Sequence, residues 1–241
     1  MLLAAGLGTR LDPITRKIPK ALAEIKGEPL LGLLIRKLAG AGFTDIIVNI
    51  HHFPGQVREY LNRNDFGDLR VEISDESEQL LDTGGGLKKA GWFFDDAKPF
   101  LLHNVDVVSS LDLREIYNTH LKKAPLATLA VSDRSTGRYL LFDDEGLLRG
   151  WMNRKSGETR PVGVKVESLH PYAFSGIHVI DPSIFDLIEE KGRFSLIELY
   201  LRLSTGANIM AYVHDSSKWL DIGTPAALEK ANREIPNDFF D

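Results

Sequence analysis

Two glycines, an arginine and a lysine near the start of the chain are spaced for work on a phosphate. Ala4-Ala5-Gly6-Leu7-Gly8-Thr9-Arg10-Leu11 follows directly on a short apolar run, and Pro19-Lys20 lies ten residues beyond Arg10. Gly6 and Gly8 let a backbone approach a ligand closely and present its N–H groups, which suits an anion; alone, such a pair is equally a plain tight turn. Fixed cations beside backbone donors suit a triphosphate, whose charge must be neutralised during substitution at phosphorus. Leu11 stands where the dinucleotide fingerprint needs its third glycine, which sets hydride transfer aside. No Gly-x4-Gly-Lys-[Ser/Thr] occurs, so the loop is not a P-loop, and neither His-Glu-x-x-His nor Gly-x-Ser-x-Gly is present. His51-His52 could reach a ligand, but adjacent histidines point different ways and chelate poorly. Lys88-Lys89 and Lys122-Lys123 read as solvated helix faces.

These residues need elements to hold them. Residues 1–5 form a short apolar strand, residues 46–50 a buried strand, residues 71–73 and 100–102 two more. Between them, residues 29–41 put Leu30, Leu34, Leu38 and Ala41 on one helical face before Gly42 stops the helix, and residues 55–63 repeat the spacing with Val57, Tyr60 and Leu61. A short helix over residues 85–90 follows the glycine-rich Asp82-Thr83-Gly84-Gly85-Gly86. Strands separated by helix-length segments predict βαβ units and a mainly parallel, Rossmann-like sheet flanked by helices, with ligands at the strand C-termini. After Pro125 the pattern changes to runs at 126–131, 138–142, 147–151 and 172–180 with short turns, the pattern of a small antiparallel extension. Asp181-Pro182 and Thr224-Pro225 each read as an N-cap followed by proline at the first helical position, and 209–213 as a last strand. The expectation is one domain over residues 1–241 in two halves, 1–124 and 125–241.

The ordered series Gly6-Leu7-Gly8-Thr9-Arg10, Pro13-Ile14-Thr15, Pro19-Lys20 and Gly27-Glu28-Pro29-Leu30 resembles the sugar-1-phosphate nucleotidyltransferases, which carry Gly-x-Gly-Thr-Arg, Pro-x-Thr and Pro-Lys in that order. Asp82-Thr83-Gly84-Gly85-Gly86 is similar to the Glu-Thr-Gly-Gly-Gly of bacterial N-acetylmuramate 1-phosphate uridylyltransferases, with Asp82 for glutamate. Mannose-1-phosphate guanylyltransferases have a less glycine-rich segment there. Three adjacent glycines weaken a helix start by roughly 1 kcal/mol each, and close ligand approach, or a flexible hairpin, accounts for them. His103-Asn104-Val105-Asp106 resembles the family's Asn-Gly-Asp, with Val105 in place of glycine. Trp219-Leu220-Asp221-Ile222-Gly223-Thr224 matches Trp-x-Asp-[Ile/Val]-Gly-Thr, and Phe174-Ser175-Gly176-Ile177 matches a sugar-pocket segment.

The resemblance implies that Ala5, Gly6, Gly8 and Thr9 wrap a nucleotide, that Arg10 and Lys20 handle phosphates, and that Asp82, Gly84 and Gly85 help bind base and ribose. It implies a nucleotide-binding half (1–124) and a sugar-binding half (125–241), Asn104 and Gly176 near the sugar, and Mg²⁺ on Asp106 and Asp221, two hard oxygen ligands suited to an ion completed by phosphates and waters. Asn153, in the segment Trp151-Met152-Asn153-Arg154 expected over the sugar pocket, is a candidate for contact to sugar or phosphate. The implied activity is nucleotidyl transfer from an NTP to a sugar 1-phosphate for sugar-nucleotide and cell-wall synthesis, with UTP and N-acetylmuramate 1-phosphate favoured by the glycine run. GTP with mannose 1-phosphate, dTTP or UTP with glucose 1-phosphate, and CTP with a phosphorylated alcohol stay open, as does a non-catalytic sugar-nucleotide-binding homologue.

Composition bounds the rest. In 241 residues, Lys+Arg 29 against Asp+Glu 34 leaves a net charge of −5, which argues against a broad nucleic-acid binder. The absence of cysteine removes thiol catalysis, Cys-ligated metals and disulfides together. No apolar run approaches the roughly 20 residues of a membrane span, so no membrane partner is expected, and a cytoplasmic monomer or small homo-oligomer is. The first strand begins closer to the loop than is usual in the family, which suggests a trimmed start. The motifs run from Gly6 to Thr224, leaving no room for the hexapeptide-repeat β-helix of larger relatives.

Overall fold

The computed structural model describes residues 1–241 apart from Val164, Asn237, Asp238, Phe240 and Asp241. The chain divides into two compact units, one of Met1–Asp82, His103–Arg114 and Lys218–Asp241, the other of Thr83–Leu102 and Glu115–Ser217.

In the first unit, strand Leu2–Leu3 lies parallel to Asp45–Ile50 on one side, with Leu2 opposite Val48, and to the end of Phe100–Asn104 on the other, with Leu2 opposite His103. Asp45–Ile50 in turn pairs in parallel with Arg70–Asp75. Residues 46–50 are buried on both faces, the reason this strand is a continuous apolar run rather than an alternating one. Helix Leu30–Gly40 buries Leu30, Leu34 and Leu38 as its spacing predicts, and Gly42 ends it at φ +89°, a conformation costly for any other residue. The C-terminal segment adds an antiparallel ribbon, Trp219–Asp221 against Val107–Ser109, followed by helix Pro225–Glu234. Thr224 caps that helix as expected, its Oγ1 accepting from the Ala227 N–H at 3.2 Å. Leu11, Ile25, Leu30, Leu33, Val108, Ile222 and Leu228 share one apolar cluster.

In the second unit the eleven-residue strand His170–Ile180 pairs antiparallel with Ala127–Ser132 and Arg138–Phe142. Hairpins extend the latter through Leu148–Asn153 to Thr159–Pro161, while Ile209–Val213 lies parallel to Ala127–Ser132. Phe94 stacks on Phe100 at 3.9 Å between ring centres, with Phe185 alongside at 5.7 to 5.8 Å. The fold is a mixed α/β sheet with parallel strands, flanking helices and small antiparallel sheets, as the periodicity predicts.

Three local expectations change. The helix expected over residues 85–90 instead spans Asp82–Lys89 and takes in the whole glycine run, with Gly84, Gly85 and Gly86 buried. Asp181-Pro182 does not cap a helix directly. Asp181 accepts from the Ser183 N–H at 2.9 Å in a local turn, and only four residues, Ile184–Leu187, are helical. Helices Leu113–Lys123 and Leu196–Leu203, and the ribbon strand Val107–Ser109, are additions that the sequence pattern did not single out.

Candidate active site

The glycine loop is folded by its own sequence. Gly8 sits at φ +66°, and a Cβ there would lie 2.8 Å from Thr15 Cγ2 and 3.1 Å from Lys20 Cβ, so conformation and packing both require glycine. The Gly8 carbonyl accepts from the Leu11 N–H at 2.8 Å and from Thr15 Oγ1 at 2.9 Å. These bonds close the turn Thr9–Leu11 that carries Arg10. Leu11, fully buried, anchors that turn in the apolar cluster, a use for the residue that breaks the dinucleotide fingerprint. Gly6 differs from Gly8, since nothing lies within 4 Å of where its Cβ would be. Its face of the loop is open to a ligand.

The two aspartates meet through the ribbon. Asp221 lies opposite Val107, and the Asp106 carbonyl accepts from the Ile222 N–H at 2.7 Å, so both carboxylates stand at the same end of the strand pair. Each is matched to one of the cations. Lys20, 8% exposed, donates through its ammonium to Asp106 Oδ2, and Arg10 Nη2 lies 3.4 Å from Asp221 Oδ2. Gly223 makes room for the second pair, because a Cβ there would lie 2.6 Å from both Arg10 Nη2 and Asp221 Oδ1. Asp221 Oδ1 is buried and has no hydrogen-bond partner among the described residues. A buried carboxylate oxygen left unmatched is costly, and a hard cation is the partner its chemistry suits. Among the described residues no group of three or more acidic or histidine side chains gathers as a metal cage, so an ion on Asp106 and Asp221 would draw its other ligands from substrate and water.

Behind this end of the ribbon, Val105 is buried and its N–H donates to the Leu3 carbonyl at 3.1 Å; the side chain that replaces the family's glycine is taken up by the core. His103 is fully buried, and desolvation lowers its pKa to about 4. Burial likewise brings Lys37 down to about 8, with Asp112 opposing, while its ammonium donates to the Ser109 carbonyl.

In the second unit, the glycine run serves packing. The Gly84 and Gly85 N–H groups donate to the Phe194 carbonyl at 3.0 and 3.3 Å, and a Cβ on Gly84 would overlap the Phe194 ring. At Gly84, then, Phe194 by itself requires the missing side chain, a packing reason beside the close ligand approach expected from sequence. Thr83 Oγ1 accepts from the Leu196 N–H at 2.9 Å. Asp82, which closes the first unit, has φ +61°. Gly176 has φ +75° within a bulge of strand His170–Ile180, between Phe174 and His178, and Ser175 beside it is bonded to His214 Nε2 at 2.7 Å. Asn153 turns its side-chain oxygen to the Lys155 N–H at 3.0 Å, serving its own hairpin. Lys88 is more than a solvated charge, since it donates to the Glu190 and Ile188 carbonyls at 2.7 and 3.2 Å.

Two residues that sequence reasoning passed over, the buried Asn49 and Glu76, join the first unit's loops, together with His51 and His52, which it set aside as a poor chelate; all four contact the segments on either side of the end of Asp45–Ile50. Their one sequence signal was polarity at the end of an apolar strand.

Comparison with known proteins bears on the family and the fold. The chain is 31% identical over 255 residues to an N-acetylmuramate α-1-phosphate uridylyltransferase of Caulobacter vibrioides, covering 98% of this chain and 96% of that one. It is 28% identical to a mannose-1-phosphate guanyltransferase of Aspergillus oryzae, covering 93% of this chain and 60% of that protein. The fold is shared with HddC from Yersinia pseudotuberculosis, at a TM-score of 0.78 and 23% identity over 98% of both chains. Residues 1–238 match the model of the nucleotidyl transferase family, and the chain belongs to that family.

Proposed function

We propose that the protein transfers a nucleotidyl group from an NTP to a sugar 1-phosphate, releasing pyrophosphate, with UTP and N-acetylmuramate 1-phosphate or a close analogue as substrates. The observation that carries the reading is the pairing of Lys20 with Asp106 and Arg10 with Asp221 beside the open face of Gly6. The sugar-phosphate oxygen is already ionised, so attack on the α-phosphorus and departure of pyrophosphate need no general base; alignment and charge neutralisation do the work. In the free protein the two cations neutralise the two carboxylates. When a triphosphate enters, Lys20 and Arg10 turn to its oxygens, Lys20 at the reacting phosphate and Arg10 at the departing pyrophosphate. Asp106 and Asp221, freed of their cations, would be the residues to hold Mg²⁺. Gly6 and Thr9 present backbone to the triphosphate, with Ala5 at the entry and Asn104 at the adjoining strand end. Asp82, Gly85, Asn153 and Gly176 remain candidates for contacts to base and sugar.

A second reading, GTP with mannose 1-phosphate, is favoured by the likeness over 93% of this chain to the Aspergillus oryzae enzyme. The four NTPs set against several sugar 1-phosphates, scored by pyrophosphate release with Mg²⁺, decide between them. Activity confined to UTP and N-acetylmuramate 1-phosphate is the expected result. Silence in every combination would sink nucleotidyl transfer.

A further inference from the structure

The C-terminal end of strand Asp45–Ile50 is wired to both neighbouring loops. Asn49, 2% exposed, accepts the Ala4 N–H at 2.7 Å through Oδ1 and donates through Nδ2 to Glu76 Oε1 at 2.7 Å. Glu76, fully buried, uses its other oxygen to accept the Leu81 N–H at 3.0 Å, and its own N–H donates to the Ile50 carbonyl at 2.8 Å. His51 Nδ1 donates to the Glu76 carbonyl at 2.7 Å, whereas His52 Nε2 donates the opposite way, to the Thr15 carbonyl at 2.9 Å. Gln56 adds a bond to the Lys17 carbonyl at 2.9 Å. Phe53 between them is held at φ +48°, a left-handed conformation that a non-glycine residue keeps only where its surroundings over-determine it.

The consequence is mechanical. Ala4 opens the glycine loop, and Thr15 packs on Gly8 and bonds its carbonyl, so both ends of the phosphate cradle are tied to residues 49–52. Glu76 and Leu81 bracket the stretch that leads into Asp82; Glu76 is tied to Asn49, and Leu81 is tied to Glu76. We propose that Asn49, His51, His52 and Glu76 are positioning residues that set the spacing between the phosphate loop and the loop over residues 76–81. Through that spacing they govern NTP affinity and the choice of base. The two adjacent histidines, a poor chelate, are suited to this because they point to different loops. The inference rests on the nucleotidyl-transfer reading and assigns these groups no contact with substrate.

The test takes the full chain with the NTP and sugar 1-phosphate that wild type turns over, so a failure of the activity itself is seen first, in wild type. His51→Ala and His52→Ala lie outside the core and keep the fold; far-UV circular dichroism and Tm check this. Losing one such bond is expected to raise KM for the NTP about tenfold, with KM for the sugar phosphate within twofold and kcat within threefold. Calorimetric titration of the NTP without sugar phosphate should show the same tenfold weakening. His51→Ala should also narrow the preference between bases, and His52→Gln, which retains a donor, should recover most of the loss. Unchanged KM for the NTP in both alanine variants overturns the proposal, as does a fall in kcat with both KM values unchanged. Glu76→Gln, which keeps volume but mismatches Asn49, should reproduce the KM effect; a drop in Tm alone would count against it.

Discussion

The Lys20–Asp106 pair allows stability and chemistry to be separated. Asp106→Asn keeps shape and removes the charge opposite a lysine whose side chain is 10% exposed, against 19% for the aspartate. A fully buried pair broken on one side costs about 3–5 kcal/mol. Here the contact is partly hydrated, and an effective dielectric near 20 brings the expected loss to about 2 kcal/mol. For a chain of this size that lowers Tm by roughly 4–8 °C. Lys20→Met, which leaves the more exposed partner alone, should cost about 1 kcal/mol. The double variant should be more stable than the two losses summed, with a coupling of about 1–2 kcal/mol, since no unpaired charge remains. Turnover should behave differently. Asp106→Asn should lower kcat by about 10²–10³ through the lost carboxylate, and Lys20→Met in the same chain should rescue none of it. Thermal unfolding and pyrophosphate release at saturating substrates with Mg²⁺ read the two effects. Single-variant losses in Tm that simply add would refute the pair, and an Asp106→Asn enzyme within tenfold of wild-type turnover would refute the role of the carboxylate.

Other consequences are simpler. Gly84→Ala places a methyl group in the Phe194 ring and 3.0 Å from its carbonyl oxygen, so it should cost about 1–3 kcal/mol in denaturant unfolding while leaving both KM values near wild type. Gly223→Ala should push Arg10 off Asp221 and, by crowding both groups, lower kcat about tenfold or more with little change in Tm; an unaltered rate would show that this pair is dispensable. His103 is neutral in the folded chain down to pH about 4, whereas the unfolded chain takes up its proton near 6.5. Stability contributed by the neutral ring is therefore full above pH 6.5 and lost as pH falls toward 4, by up to about 3 kcal/mol. His103→Gln should flatten the dependence of unfolding free energy on pH across that window, and a slope equal to wild type would contradict the assignment.

By itself the sequence determined the local pieces and the chemistry they can hold. The run 46–50 is a strand because it is apolar on both faces, Thr224-Pro225 starts a helix because oxygen and ring meet the needs of its first turn, and Gly6 and Gly8 mark a tight turn or an anion cradle beside a cation. Each of these is a property of a few neighbouring residues, legible at short range. The tertiary structure alone decided the pairings. Asp221 comes to Asp106 because the segment after Ser217 returns as a strand against Val107–Ser109. Gly84 is glycine because of Phe194, and His51 and His52 serve two different loops. Burial of Glu76 under Asn49 gives a lone carboxylate a reason to be there. Those facts depend on contacts between residues far apart in the chain, whose free energy comes from register, burial and matched hydrogen bonds, and none of these leaves a periodic mark in the sequence.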